Sequence, residues 1–171
     1  MLPAKSCMAL LCVLITAGCA SSLEPPKMGA LGSTHIHSDF KVYLNSTPVD
    51  FSQDKYQVRS QFIHVESHNG DVIHFHATNE QFGFFFSTVG MTLSKDCFTL
   101  DDGRKFCTND KQQLRMYVND KPNSQFGTYF PKDCDKILIS YGTEAEIAEQ
   151  LASITERACT PETRNKQMSQ N

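Results

Sequence analysis

Three stretches between residues 35 and 77 alternate apolar with polar side chains, and five of the chain's six histidines occupy the polar positions. A period of two is the signature of a half-buried strand, whose successive side chains point to opposite faces of a sheet. Phe40, Val42 and Leu44 mark the first stretch, ahead of a turn over 45–48; His35, His37 and Asp39 share one of its sides, opposite Ile36, Phe40 and Val42. A strand over 62–66 sets His64 and Glu66 opposite Ile63 and Val65, and one over 72–77 sets His74 and His76 opposite Ile73 and Phe75. In each case the apolar neighbours claim the core, so the histidines are expected to share the outward face.

The turn between the second and third stretches decides whether these faces match. A three-residue loop, His68-Asn69-Gly70 with Gly70 left-handed, pairs Ser67 with Asp71, Val65 with Ile73 and His64 with His74. A two-residue Asn-Gly turn would set Val65 against His74 and mix the faces. The three-residue loop is therefore the expectation, with His76 two residues along from the His64 and His74 pair. His68 lies in the turn and is assigned a structural role.

Beyond residue 77 the period changes. Phe82, Phe85, Phe86 and Val89 recur at helical spacing, Thr78 and Gln81 have capping-box spacing, and Gly90 suits a C′ position. A helix so rich in Phe reads as the apolar plug of a sheet. Alternating strands return over 114–118 and 137–141. A last helix is expected from Thr143, with Glu146 as capping-box partner, a stripe of Ile147, Leu151 and Ile154, and Pro161 to stop it. Strands, a short packed helix, more strands and a terminal helix imply an α+β domain with its helix segregated to one sheet face.

The first 18 residues read as a secretory leader: Lys5, an apolar run over 8–15, then small residues before Cys19. The run is too short to span a bilayer as a helix. Thr16-Ala17-Gly18-Cys19 resembles a lipobox, with Thr16 where Leu is usual, and makes Cys19 the expected lipidation site. The alternatives are cleavage that leaves Cys19 free and a leader retained in the membrane. The expected division is leader 1–18, lipid-anchored flexible tether 19–34, one domain over 35–159 and a disordered polar tail over 160–171. The expected location is the outward side of the cell membrane, or the medium. Lys5 is the leader's only charge, so its removal takes the chain from −3 to −4 with His neutral, which argues against a nucleic-acid partner.

Of the seven cysteines, Cys7 and Cys12 lie in the leader and Cys19 is the anchor candidate; Cys97, Cys107, Cys134 and Cys159 remain. An even set in an oxidising compartment favours two disulfides. A three-residue loop Asp101-Asp102-Gly103 pairs Leu100 with Arg104 and so sets Cys97 opposite Cys107, close enough to bond. The Cys134 to Cys159 bridge follows by elimination. No C-x-x-C occurs, so a thioredoxin-type role has no motif.

The segment 71–142, including LRMYVNDKP (114–122) and KDCDKILISYG (132–142), resembles the β-grasp domain at the C-terminus of transcobalamin-like proteins. That family usually has Gly in a KDGD turn where this chain has Cys134. The resemblance implies a β-grasp-like mixed or antiparallel sheet, here with one short packed helix, a disulfide-linked hairpin and a C-terminal helix. HIHSDFKVYLN (35–45), DFSQDKYQVRS (50–60), HVE (64–66) and IHFHA (73–77) resemble a prokaryotic, notably archaeal, secreted family with no established activity.

Neutral imidazoles are common ligands for zinc, copper and nickel, and three or four converging rings make a binding shell. The expected ligands are His64, His74 and His76, joined by His35 and His37 if the first strand lies alongside; Glu66 or Asp39 would complete the set or orient a ring. A lone histidine on a strand would mean nothing, since such residues often only make hydrogen bonds. Two H-x-H pairs and a facing histidine motivate an exported protein that captures, buffers or delivers a transition metal. Two alternatives stand beside it. One is a metal-free recognition or adhesion module using a sheet edge or the loop 120–129. The other is a cupin-like metalloenzyme, since His74, His76 and Glu80 have H-x-H-x3-E spacing; an acid at a helix start also has a simpler use, favouring the helix dipole. No G-x-S-x-G or phosphate-binding Gly loop occurs, so the sequence does not otherwise support catalysis.

Overall fold

The computed structural model describes residues 27–159. The leader, Cys19, the tether as far as residue 26 and the tail over 160–171 lie outside the described residues. Among those described, no helix is long and apolar enough to cross a membrane.

The chain is α+β. Strand β1 (Ile36–Leu44) is central, followed by β2 (Thr47–Pro48), β3 (Ile63–Glu66), β4 (Asn69–Phe75) and helix α1 (Phe82–Thr88). A small sheet of β5 (Thr92–Leu93), β6 (Cys97–Thr99) and β7 (Lys105–Cys107) comes next. Then follow β8 (Gln113–Val118), β9 (Lys121–Pro122), β10 (Lys136–Gly142) and α2 (Ile147–Ala152). The main sheet runs β3-β4-β1-β10-β8-β9, with β2 on β1. Strands β1 and β10 are parallel and the other pairs antiparallel. A central parallel pair, flanked by antiparallel neighbours and crossed by a helix that follows the first hairpins, is the β-grasp-like arrangement.

Helix α1 plugs one face, with Phe82, Phe85 and Phe86 buried against Phe40, Phe51, Phe75 and Phe98. Each ring taken from water contributes on the order of 2–3 kcal/mol, so the plug ranks among the largest sources of stability. Its C-terminus is a Schellman closure: the Met91 N–H reaches Phe86 O, the Gly90 N–H reaches Ser87 O, and Gly90 has φ +77°. The expected capping box is absent. Gln81 is the N-cap, and Thr78 is taken up by Ser33, whose hydroxyl accepts the Thr78 N–H at 2.9 Å. Helix α2 likewise lacks its capping box, because Glu146 accepts from Ser46 Oγ at 2.5 Å. It covers part of the second face, where Leu138, Ile147 and Ile154 form a smaller core.

The β3–β4 turn differs from expectation. Ser67 and His68 have φ of 54° and 55°, a two-residue type I′ turn, and Glu66 pairs with Asn69. His64 still faces His74 because the register shifts between His64 and Glu66. Gly70 is not left-handed; it is glycine because the backbone of the 50–53 segment passes against it, leaving only 2.4 Å between a Cβ there and Ser52 N. Gly70→Ala is expected to cost about 2 kcal/mol, read as a lower urea midpoint. An unchanged midpoint would mean that the two backbones part freely.

Both cysteine bridges form. Cys97 lies opposite Cys107, Leu100 N–H bonds to Arg104 O and Gly103 has φ +85°, as the three-residue loop requires. Cys134 bonds to Cys159, tying the C-terminal segment to the start of β10.

Candidate metal centre

Sheet register brings the histidines together. On β4, His74 is paired with His37 of β1 on one side and with His64 of β3 on the other. This makes a row of three rings across three strands. His35 and His76 form a second row, their ring centroids 4.7 Å apart. Between the rows His35 lies 4.8 Å from His37, and His64 lies 5.0 Å from His76. All five expected ligand residues are thus in one cluster. His68 stays apart at its turn, with Nε2 2.9 Å from Asp54 Oδ1.

Three of the five converge most closely. One ring nitrogen each from His35, His74 and His76 lies within 4.8 Å of the other two. Tetrahedral zinc with bonds of about 2.1 Å needs nitrogens about 3.4 Å apart, so modest ring rotation would close the triad around an ion. His35 is exposed, which opens the group to solvent, whereas His74 and His76 are half-buried.

The cluster discourages protonation. Burial first, and then the neighbouring His37, push the His74 pKa down to about 4. His37 is lowered by burial and by His35, and His76 by burial and by His64. These three rings are therefore neutral at pH 7 and keep the lone pair that a metal takes.

Glu66 and Asp39 have different fates. The Glu66 carboxylate faces two rings, 3.3 Å from His64 Nε2 and 3.8 Å from His74 Nε2. His64 Nδ1 is 2.8 Å from Ser60 O, a contact that places a proton on Nδ1 and turns Nε2 toward Glu66. Asp39 is buried and committed elsewhere. Its carboxylate accepts from Thr155 Oγ1 at 2.6 Å and from the N–H groups of Arg157 and Ala158 at 2.9 and 3.0 Å. The expectation that it would orient a ring or join the donors is corrected: the returning C-terminal segment claims it.

Comparison with known proteins finds no matching family model, no matching curated protein and no matching solved structure. Function must be read from the site itself.

The H-x-H-x3-E pattern does not gather its acid. The carboxylate that acts on His74 and His76 is Glu66, and His35 completes the closest donor set. Glu80 is instead buried at 4 % exposure, and both carboxylate oxygens lack a hydrogen-bond partner among the described residues. Burial raises its pKa to about 7, opposed only in part by the nearby Ala77 N–H.

Two features of the site have no simple sequence signal. The chain before β1 docks on the end of the cluster: Gly32 N–H donates to His76 O at 2.7 Å and Gly29 N–H to Thr78 O at 2.8 Å. From Gly29 onward, the segment expected to be a flexible tether is thus fixed beside the histidines. Asp133, in the loop before β10, accepts from the His37 N–H at 3.0 Å.

Proposed function

We propose that this chain is an exported, lipid-anchored, non-catalytic protein that binds one transition-metal ion, copper, zinc or nickel, through His35, His74 and His76. The observation that carries this reading is the convergence of three imidazole nitrogens within 4.8 Å on one sheet face. Two of the three rings, His74 and His76, are held neutral at physiological pH by burial and then by neighbouring histidines, His37 beside His74 and His64 beside His76. His35 is the exposed member of the triad, so an ion would reach the group from its side. Three protein nitrogens would leave a four-coordinate ion one position for water or for a ligand from a partner. His37 and His64 flank the triad, and Glu66 supplies negative charge beside it. An anchor at Cys19 would place this face at the outer surface of the membrane, where environmental metal arrives.

Metal titration tests the reading. The full chain is expected to bind copper or zinc with one-to-one stoichiometry. The His35→Ala, His74→Ala, His76→Ala triple variant should bind at least about 100-fold more weakly, and Glu66→Gln about tenfold more weakly. Equal affinity in the triple variant and the parent would defeat the proposal.

A further inference from the structure

A second set of donors lies on the other side of His37 from the triad, in the loop that leads into β10. His37 is fixed there through both of its backbone polar atoms. Its N–H donates to Asp133 Oδ1 at 3.0 Å, and its carbonyl accepts the Cys134 N–H at 2.7 Å. Cys134 is bonded to Cys159, both residues are buried, and their Cα atoms are 5.3 Å apart. An Asp133 carboxylate oxygen and the two Sγ atoms lie within 4.8 Å of one another.

Each cysteine is held by contacts that do not depend on the bond between them. Cys134 sits in a left-handed turn with φ +67°, anchored to His37 O. Ala158, the neighbour of Cys159, donates its N–H to the buried carboxylate of Asp39, as does Arg157. Cutting the disulfide would therefore leave both sulfurs close together. Two thiolates on zinc, with bonds of about 2.3 Å, stand about 3.8 Å apart, under 2 Å more than in a disulfide. Side-chain rotation can supply that difference. The Cys97–Cys107 pair offers no comparable corner: among the described residues, no three-donor group includes it.

We infer that reduction of Cys134–Cys159 creates a second metal site, built from two thiolates and the Asp133 carboxylate, for a soft or borderline cation such as Cu⁺ or Zn²⁺. The reductant is a dithiol of the thiol-disulfide exchange class. Its two thiols become one disulfide while the Cys134–Cys159 bond opens to two thiols, and a divalent ion then displaces both protons on binding. Oxidised, the described residues offer the imidazole cluster, which suits Cu²⁺, Zn²⁺ or Ni²⁺. Reduced, the chain adds sulfur ligands that select Cu⁺ or Zn²⁺. The inference is independent of the histidine triad and survives if that reading fails.

Cadmium titration of the full chain distinguishes the outcomes. Chain reduced with a phosphine, freed of it and kept without oxygen should bind one more Cd²⁺ than oxidised chain, with a thiolate-to-cadmium charge-transfer band in the ultraviolet. Asp133→Asn, which keeps every thiol, should weaken this binding about tenfold. Cys134→Ser with Cys159→Ser should abolish the gain in this band on reduction although Cys7, Cys12, Cys19, Cys97 and Cys107 remain, and the triple histidine variant should retain the gain. The inference is overturned by equal cadmium uptake in the two oxidation states, by a gain in the band on reduction that survives in the double serine variant, by Asp133→Asn binding as tightly as the parent, or by loss of the far-ultraviolet circular dichroism on reduction.

Discussion

Glutamine in place of Glu80 is expected to make the protein about 2–3 kcal/mol more stable at pH 8 and to leave it within about 1 kcal/mol of the parent at pH 4. Glu80 is 4 % exposed, and among the described residues neither of its carboxylate oxygens has a hydrogen-bond partner, so its burial is offset only in part by the nearby Ala77 N–H. Its pKa rises from 4.5 to about 7 because the low-dielectric surroundings oppose the charged form. Below pH 4.5 the group is protonated in both folded and unfolded chains and contributes no difference. Between 4.5 and about 7 the folded chain holds the proton that the unfolded chain has lost, so stability falls as pH rises. Above 7 the whole penalty is present, about 3 kcal/mol. Glutamine keeps the shape of the neutral acid but adds an unpartnered N–H, which offsets about 1 kcal/mol of the gain. Urea denaturation of parent and variant at pH 4, 6 and 8 checks the argument. Parallel stability curves across that range would show that Glu80 does not titrate differently on folding.

The same residue shows where sequence patterns lose their meaning. The H-x-H-x3-E spacing links Glu80 to His74 and His76 along the chain, but β4 ends at Phe75 and the chain then turns through Asn79, at φ 59°, toward α1. Spacing carries over into geometry only while the element lasts. Within the strands it did carry over. Alternation on β1, β3 and β4 accounts for His37, His64 and His74, because the period of two is imposed by the backbone itself, while His35 and His76 lie one residue beyond the ends of β1 and β4 and still join the cluster. The pairing of His64 with His74 was expected from a three-residue loop that does not form; it arises here because the register shifts between His64 and Glu66, which also sets Ile63 opposite Phe75. The turn was not legible. Ser67 and His68 adopt left-handed angles without the glycine that usually announces them, and Gly70 answers a crowding by Ser52 that no local pattern reports. Thr78 and Glu146 have cap chemistry at cap spacing, yet Ser33 and Ser46, distant in sequence, use them first. Helix α2 is also shorter than its stripe suggested, ending at Ala152 while Ile154 is buried beyond it. Long-range competition of this kind is invisible to any window of neighbouring residues.

Asp39 makes the same point at larger energetic cost. Its placement on the histidine side of β1 suggested a part in metal binding, whereas the structure gives it three hydrogen bonds from residues more than 110 positions away. Asp39→Ala is expected to destabilise the protein by about 3–5 kcal/mol, since it strands two backbone N–H groups and the Thr155 hydroxyl at a site with no exposure. Asp39→Asn should cost less, about 2–3 kcal/mol, because one carbonyl oxygen still accepts from Thr155 and Arg157 while its NH₂ group meets the Ala158 N–H. The informative measurement pairs urea denaturation with metal titration of the asparagine variant. A lowered midpoint with metal affinity within about threefold of the parent is expected, because the nitrogens of His35, His74 and His76 converge without Asp39. An unchanged midpoint with lost metal binding would instead return Asp39 to the metal site. The clamp has a further consequence for the two cysteines: with Asp39 replaced, Cys134–Cys159 loses the contacts that hold the neighbouring C-terminal residues to β1. The thiols of such a variant, once reduced, should then separate, and cadmium binding at Asp133 should weaken along with the fold, although no metal ligand has been changed.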